Sequence, residues 1–369
     1  MSQERTQKEL QEIFERVGSP GRGRRFDPSI LGPEQGLRTM LERHKRTAEI
    51  WLRDVRTQHV PTMGPVHFDY VENLELNAFA FESENHEFVG VYVGTIVTIY
   101  SFFGSLLAYP RLLMSVGDPL AEEEWKSDTF DPKQLYRQPK NLARRSFAHL
   151  MASIAIDFLF AHEIGHLMNG HVKLLRMRKG VPLLAEFDLT QKTHEENLTL
   201  QSLEMDADSF AVGQGLATAF GRARDPNIIF PPDWRQWYAT PRLALFGWAL
   251  AIYGFFRLFF KGAVNLDDLG STNHPPPNIR LTMVLSTLVE FLKKTSLEEF
   301  ISQLEPIIGE VVRTVETGHA LITSTPLNVS GLQQTLDPRA NKHLGRLLDH
   351  WKILRPELVP LNRGGRLAD

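Results

Sequence analysis

The chain has 369 residues, of which 42% are hydrophobic and 23% are charged. This composition is typical of a soluble globular protein and excludes disordered and fibrous classes. The formal net charge of -3 is too small to predict nucleic-acid binding through a whole-molecule field. The chain has no cysteine, which excludes disulfides and thiolate ligands and leaves imidazoles and carboxylates as ligands for a zinc-type ion.

The N-terminal segment is polar and mixed in charge. Met1–Arg16 lacks the apolar core that a secretory signal needs. The sequence therefore predicts a cytoplasmic protein whose residues 1–25 form an N-terminal helix or arm.

Two strands are predicted next. Glu72–Phe81 and Glu87–Val97 are rich in aromatic and β-branched residues and flank a polar turn at Ser83–Asn85. A helix is predicted to follow over Ser101–Tyr109. These segments indicate a small sheet near the start of a mostly helical chain.

A long helix is predicted over Asn141–Asn169, with Gly170 in the position of a C-terminal cap. It contains an HExxH motif formed by His162, Glu163 and His166. Residues four apart lie on one face of a helix, so both imidazoles can reach one metal ion while Glu163 can contact a water molecule on it. The alternative is a pair of histidines at helical spacing with no ion.

A catalytic zinc site needs a third protein ligand. Thr193 and Glu196 have the spacing of a capping box, and the helix that they open is predicted to reach about Gly213. Within it Glu204 and Asp208 share a face. One of these two carboxylates is predicted as the third ligand, and the other as the group that orients a ligand imidazole through its free N–H. A solvated acidic helix face is the alternative.

His171 lies nearer to the motif than Glu204 does. The HExxHxxGxxH pattern, however, requires glycine at 169 and histidine at 172, where this chain has Asn169 and Val172. We therefore interpret His171 as a residue that decorates the end of the helix.

An apolar run over Leu243–Phe260 is long enough to raise the question of a membrane span. Its charged residue, Arg257, lies close to one end, and the run stands between two segments that we assign to one site. A buried helix is predicted, and a single-span membrane protein is the alternative.

The C-terminal region is predicted to be helical. Ser296 and Glu299 have capping-box spacing ahead of a helix that reaches about His319. The fold class is α+β, predominantly α. The predicted domains are an arm at 1–25, a catalytic domain at 26–295 and a helical extension at 296–369.

The motifs resemble a known family. HExxH followed by Glu204-x-x-Ala207-Asp208 is similar to the gluzincin metallopeptidases, in particular the family of the CAAX prenyl protease and the heat-shock protease HtpX. The chain lacks the multiple membrane spans of those two enzymes. The His-Glu-Ile-Gly-His and Asn-Gly-His combination is also similar to the phage-exclusion peptidases of the Lit type.

Two further segments carry the gluzincin resemblance, which covers about Leu74 to Leu281. Asn77, Ala78 and Phe79 resemble the family's Asn-Ala-Phe strand, and His274 to Pro276 with Arg280 resemble its His-Pro-Pro segment. The resemblance implies a zincin-like core, a substrate-binding edge strand at Asn77–Phe79, and a cleft where His274 and Arg280 stabilise the oxyanion.

The predicted function is hydrolysis of protein or peptide substrates with one zinc ion per chain, held by His162, His166 and Glu204. Glu163 activates the water as general base. Hydrolysis of a non-peptide amide or ester and a catalytically silent binding protein are the alternatives. Two imidazoles and a carboxylate also suit Fe(II), but Glu163 favours zinc.

Overall fold

The computed structural model describes residues 6–18, 21–32, 36–59, 66–123, 137–179, 183–185, 193–225, 227–228, 231–260 and 262–369. In these ranges the chain is mostly helical with one small sheet, which confirms the α+β, predominantly α class. The α-helices are α1 (Gln7–Ile13), α2 (Gly36–His59), α3 (Val93–Leu107), α4 (Leu142–Met168), α5 (His171–Lys179), α6 (His194–Arg224), α7 (Pro241–Phe259), α8 (Pro277–Lys294), α9 (Ile301–Thr323), α10 (Ser330–Thr335) and α11 (Pro338–Leu358).

The sheet has five strands in the order β1-β2-β4-β3-β5. They are β1 (Arg25–Phe26), β2 (Val66–Val71), β3 (Ala78–Ser83), β4 (His86–Tyr92) and β5 (Leu183–Ala185). The pair β2 and β4 is parallel and the other pairs are antiparallel. Glu84 and Asn85 form the two-residue turn between β3 and β4 with φ of 50° and 64°. Positive φ at both positions suits a tight hairpin, so the predicted turn is confirmed.

The predicted strand boundaries are wrong at two places. The strand expected from Glu72 begins at Ala78, and the strand expected to reach Val97 ends at Tyr92 because Val93 starts α3. The residues of α3 are almost all buried. A fully buried apolar segment has no alternation of inside and outside positions, so its composition does not separate a strand from a helix.

The prediction that β3 is an edge strand is wrong, because β3 lies between β4 and β5. It pairs with β4 on one side, and on the other side Phe79 and Phe81 pair with Ala185 and Leu183 of β5. No strand was predicted at β5, which has only three residues. The backbone of β3 at Phe79–Phe81 therefore already has a strand on each side.

Helices α4 and α6 confirm two local predictions. Gly170 follows α4 with φ of 82°, as a C-terminal cap requires. The capping box of Thr193 and Glu196 is present at the start of α6. That helix continues past the predicted end near Gly213 to Arg224.

Close packing accounts for one glycine inside α6, Gly215. A Cβ atom added at Gly215 would lie 2.6 Å from Nε1 of Trp248 on α7. The close approach of the two helices is therefore available only to glycine here, and tertiary contacts outweigh its low helix propensity.

The capping box predicted at Ser296 and Glu299 is wrong. Ser296 has φ of 56°, and a short 3₁₀ turn at Glu298–Phe300 precedes α9, which runs to Thr323. The helical character of the C-terminal region is confirmed by α9, α10 and α11.

The chain forms two compact units. The first comprises Met1–Val97, His162–Gln191 and His350–Asp369, and the second comprises Thr98–Ala161 and Lys192–Asp349. The first contains the sheet and a buried hydrophobic cluster whose four phenylalanines, the phenylalanine cluster, are Phe14, Phe79, Phe81 and Phe88. The rings of Phe81 and Phe88 stack at 4.6 Å. In the second, α6 packs on α7 and α8, and α7 packs on α9. The three-part domain division stays a prediction.

Two helices of the described residues, α4 and α7, are long and apolar enough to cross a membrane by length and composition. In α4 and α7, 89% and 72% of the apolar stretch is buried inside the protein, which is also typical of core helices. Arg257 of α7 donates to Glu316 at 3.0 Å, so the charge within the run has a buried partner. The helix predicted for the run is confirmed as α7.

Candidate metal centre

The HExxH turn lies in the last third of α4. His162, Glu163 and His166 are all buried, with 1%, 2% and 2% of their surface exposed. The helix is apolar around nearly its whole circumference and is therefore buried. Its few polar side chains are buried together with it.

The two imidazoles of the turn face each other. Nε2 of His162 lies 3.0 Å from Nε2 of His166. Two nitrogen lone pairs repel at this distance unless a proton or a cation lies between them. The helical spacing has therefore brought both ring nitrogens to one point, as the sequence predicts.

Glu204 completes a group that could hold a metal ion. It lies on α6 and is buried, and its carboxylate and the ring nitrogens of His162 and His166 all lie within 4.8 Å of one another. This arrangement of two imidazoles and one carboxylate is the donor set of many catalytic zinc sites.

A second set of contacts surrounds Glu204. Nη1 of Arg280 lies 3.6 Å from Oε2 of Glu204, and Nδ1 of His274 lies 3.3 Å from the same oxygen. The structure thus brings together three residues that the sequence assigned to one site. Arg280 also lies over the ring of Phe256, with its guanidinium carbon 5.2 Å from the ring centroid.

Asp208 binds Arg280 with both carboxylate oxygens. Nε and Nη2 of Arg280 each donate to Asp208 at 2.8 Å. This bidentate pair is buried and fixes the guanidinium in one orientation. The sequence assigned Asp208 to an imidazole, whereas the bonds described for it go to Arg280.

Residues that the sequence analysis missed hold the loop that carries His274. Asn197 donates to the carbonyl of Gly270 at 3.2 Å, and Gln201 donates to the carbonyls of Leu269 and Thr272 at 2.8 and 2.6 Å. The signal was present as a buried stripe at spacings of four, three and four along α6. We call this stripe the α6 polar face; its members are Asn197, Gln201, Glu204 and Asp208.

A buried histidine supports Gln201. Nε2 of His343 lies 2.7 Å from Oε1 of Gln201. Burial, helped by the charge of Arg346, lowers the pKa of His343 to about 4. His343 is therefore neutral at pH 7, and its Nε2–H can donate to the amide oxygen of Gln201.

His171 was also missed as part of the site. It is fully buried, and its Nδ1 lies 2.9 Å from Nδ1 of His166. This contact corrects the interpretation of His171 as a residue that only decorates a helix end.

The predicted substrate-strand residues lie in the core of the first unit. Asn77, Ala78 and Phe79 are buried. The backbone N–H of Asn77 donates to Oγ1 of Thr95 at 2.8 Å, and Phe79 packs in the phenylalanine cluster with Phe81. Their contact with a substrate stays a prediction.

One comparison with known proteins gives a match. Residues 103–300, which are 198 of the 369 residues, match the family model described as Peptidase U49. The matched range contains the HExxH turn, the α6 polar face and Arg280. No curated protein and no solved structure matches the chain.

Proposed function

The chain belongs to the peptidase U49 family, and on that premise we propose that it is a zinc-dependent metalloendopeptidase. In this proposal His162, His166 and Glu204 hold one zinc ion per chain, and Glu163 is the general base. The observation that carries it is the buried group of two imidazoles and one carboxylate within 4.8 Å of one another.

The donor set fits zinc. Tetrahedral bonds of about 2.1 Å place ligand atoms roughly 3.4 Å apart, which is close to the 3.0 Å between the two Nε2 atoms. A carboxylate within 4.8 Å needs only a small side-chain adjustment to join them. Three protein ligands leave a fourth position for water, as in catalytic zinc sites.

Glu163 would transfer the protons of the reaction. When bound, the ion lowers the pKa of a water molecule and polarises the scissile carbonyl. Glu163 follows a ligand directly on α4, so its carboxylate is offset around the helix from the two imidazoles. From there it would take a proton from the attacking water and pass it to the leaving amine.

His274 and Arg280 would have different roles. Arg280 is 10% exposed at its side chain and is held by Asp208, so we assign it to balancing the charges of two buried carboxylates. His274 is 19% exposed and is therefore the more accessible of the two. We assign His274 to donating a hydrogen bond to the oxyanion that forms from the scissile carbonyl.

Three finer assignments belong to the same proposal. The chain would have a zincin-like core of the gluzincin type, related to the CAAX prenyl protease and HtpX family and more distantly to the Lit-type peptidases. It would act in the cytoplasm on protein or peptide substrates. An extended peptide would add to a free edge of the sheet, where main-chain hydrogen bonds fix its register, and not to β3 at Phe79–Phe81, which has a strand on each side.

The test compares the purified protein with Glu163→Gln. We expect about one zinc per chain in both proteins by metal analysis. Casein cleavage should fall by roughly 10²- to 10⁴-fold in the variant, because glutamine cannot accept the proton. Glu195→Gln, an exposed position at the start of α6, is the matched control and should cleave normally.

Several results would contradict the proposal. Equal cleavage by the wild type and Glu163→Gln would reject Glu163 as the base. Activity that survives exhaustive chelation of the wild type would reject the metal. Turnover of a simple ester without any cleavage of casein would favour a hydrolase of another substrate class.

A further inference from the structure

The proposed chemistry assigns no role to His171, although this histidine contacts one of the predicted ligands. Gly170, with φ of 82°, ends α4, and His171 begins α5. The ring of His171 lies edge to face with that of His166, with centroids 5.1 Å apart. His166 thus has Nε2 beside His162 and Nδ1 beside His171.

When one ring nitrogen of His166 binds a cation, the other must carry the proton of the neutral ring. A ring nitrogen binds a metal through its lone pair, so a ligand Nε2 requires the proton of the neutral ring to be on Nδ1. That N–H then points at Nδ1 of His171, 2.9 Å away. His171 must accept there and carry its own proton on Nε2.

We propose that His171 is a positioning residue that fixes the ring orientation and the tautomer of His166 for metal binding. The inference rests on the proposed function of the His162, His166 and Glu204 group. A hydrogen bond accepted from Nδ1–H makes Nε2 a better donor to the ion and prevents rotation of the ring. His171 lies on the other ring nitrogen of His166 and outside the group that could hold the ion.

The experiment uses two substitutions of His171 in the full chain. His171→Leu removes the acceptor. His171→Asn keeps one, because the amide oxygen is attached to Cγ as Nδ1 is in histidine. The matched control is His86→Leu, a buried histidine that contacts the carbonyl of Glu84 at 2.9 Å. Zinc affinity is measured by competition with a chromophoric chelator, and folding by circular dichroism.

The expected result is a split between the variants. His171→Leu should weaken zinc binding by about 10- to 100-fold while the protein stays folded. His171→Asn should bind zinc within a few-fold of the wild type, and His86→Leu should bind it normally. A cobalt-substituted protein should show the same absorption bands in the wild type and in His171→Asn, because the ligands themselves are unchanged.

Other outcomes overturn the inference. Unchanged zinc affinity in His171→Leu would show that His166 needs no acceptor while leaving the proposed function intact. An equally large loss in His171→Asn and His171→Leu, with altered cobalt bands, would make His171 a ligand. A wild-type protein that binds no zinc would reject the proposed function and this inference together.

Discussion

Helices α4 and α6 both bury polar side chains, but the partners of those side chains differ. The HExxH turn of α4 carries three polar side chains within five residues. Its two histidines contact each other, and His166 also contacts His171. The α6 polar face spreads four polar side chains over about three turns. Their described hydrogen bonds go mainly to a loop backbone and to Arg280. Burial and polarity alone therefore do not distinguish groups that would act in the reaction from groups that hold the site in place.

This difference predicts different consequences of substitution. Changes in the HExxH turn should alter metal binding or proton transfer with little effect on folding. Changes in the α6 polar face, apart from Glu204, should first reduce stability and displace the loop that carries His274. The substitutions that follow test this contrast.

The largest effect is expected at Glu204, where the α6 polar face supplies a predicted ligand. Glu204→Ala should weaken zinc binding by more than about 100-fold and reduce peptide cleavage to a similar extent, because one of three ligands is lost. Chelator competition measures the affinity. Glu195→Ala on the exposed start of the same helix is the control, and normal zinc affinity in Glu204→Ala would remove Glu204 from the site.

Arg280 comes next, because two buried carboxylates depend on its charge. Arg280→Met should reduce the free energy of unfolding by roughly 3–5 kcal/mol, since Asp208 and Glu204 would be left without the cation. Urea denaturation measures this loss. Arg280→Lys keeps the charge without the bidentate geometry and should lose less. Equal stability of wild type and Arg280→Met would mean that the pair contributes nothing to folding.

Gln201 should show a smaller effect on stability together with a kinetic one. Gln201→Leu removes the donor to the carbonyls of Leu269 and Thr272 and should cost about 1–3 kcal/mol. If the loop then displaces His274, kcat should fall while zinc affinity stays normal. Steady-state kinetics beside chelator competition separates the two, and a loss of zinc instead would argue against a role in holding the loop.

The smallest expected effect is a pH dependence of stability from His343. Burial lowers the pKa of His343 to about 4, below the roughly 6.5 of an unfolded histidine. Between these values the unfolded chain binds a proton that the folded chain does not, so stability is lost as the pH falls from about 6.5 to about 4. His319, whose pKa burial also lowers to about 4, contributes in the same direction.

A matched substitution isolates the contribution of His343. Melting temperatures of wild type and His343→Leu are compared between pH 7 and pH 4. The variant should be less stable at pH 7, because Gln201 loses a partner, but its stability should fall less steeply on acidification. Parallel curves for the two proteins would show that His343 is not the group that titrates.

Local sequence patterns determined much of the helical part of the fold. The HExxH turn could be placed on a helix because its spacing depends on the helical period alone. Thr193 and Glu196 predicted the start of α6 because a capping box is a contact between residues three apart. Glu84 and Asn85 formed the expected turn because a hairpin turn also depends on neighbouring residues. Ser296 and Glu299 show the limit, since the same spacing was not used as a cap.

Long-range contacts decided the rest of the candidate site. Asp208 binds Arg280, 72 residues away, and Gln201 holds a loop 68 to 71 residues away. Both contacts follow from how the helices of the second unit pack. A stripe of polar residues has the same local pattern whether it faces solvent, a backbone carbonyl or an ion. The sequence therefore determined which chemical groups α4 and α6 present, and only the tertiary structure decided which partner each of them has.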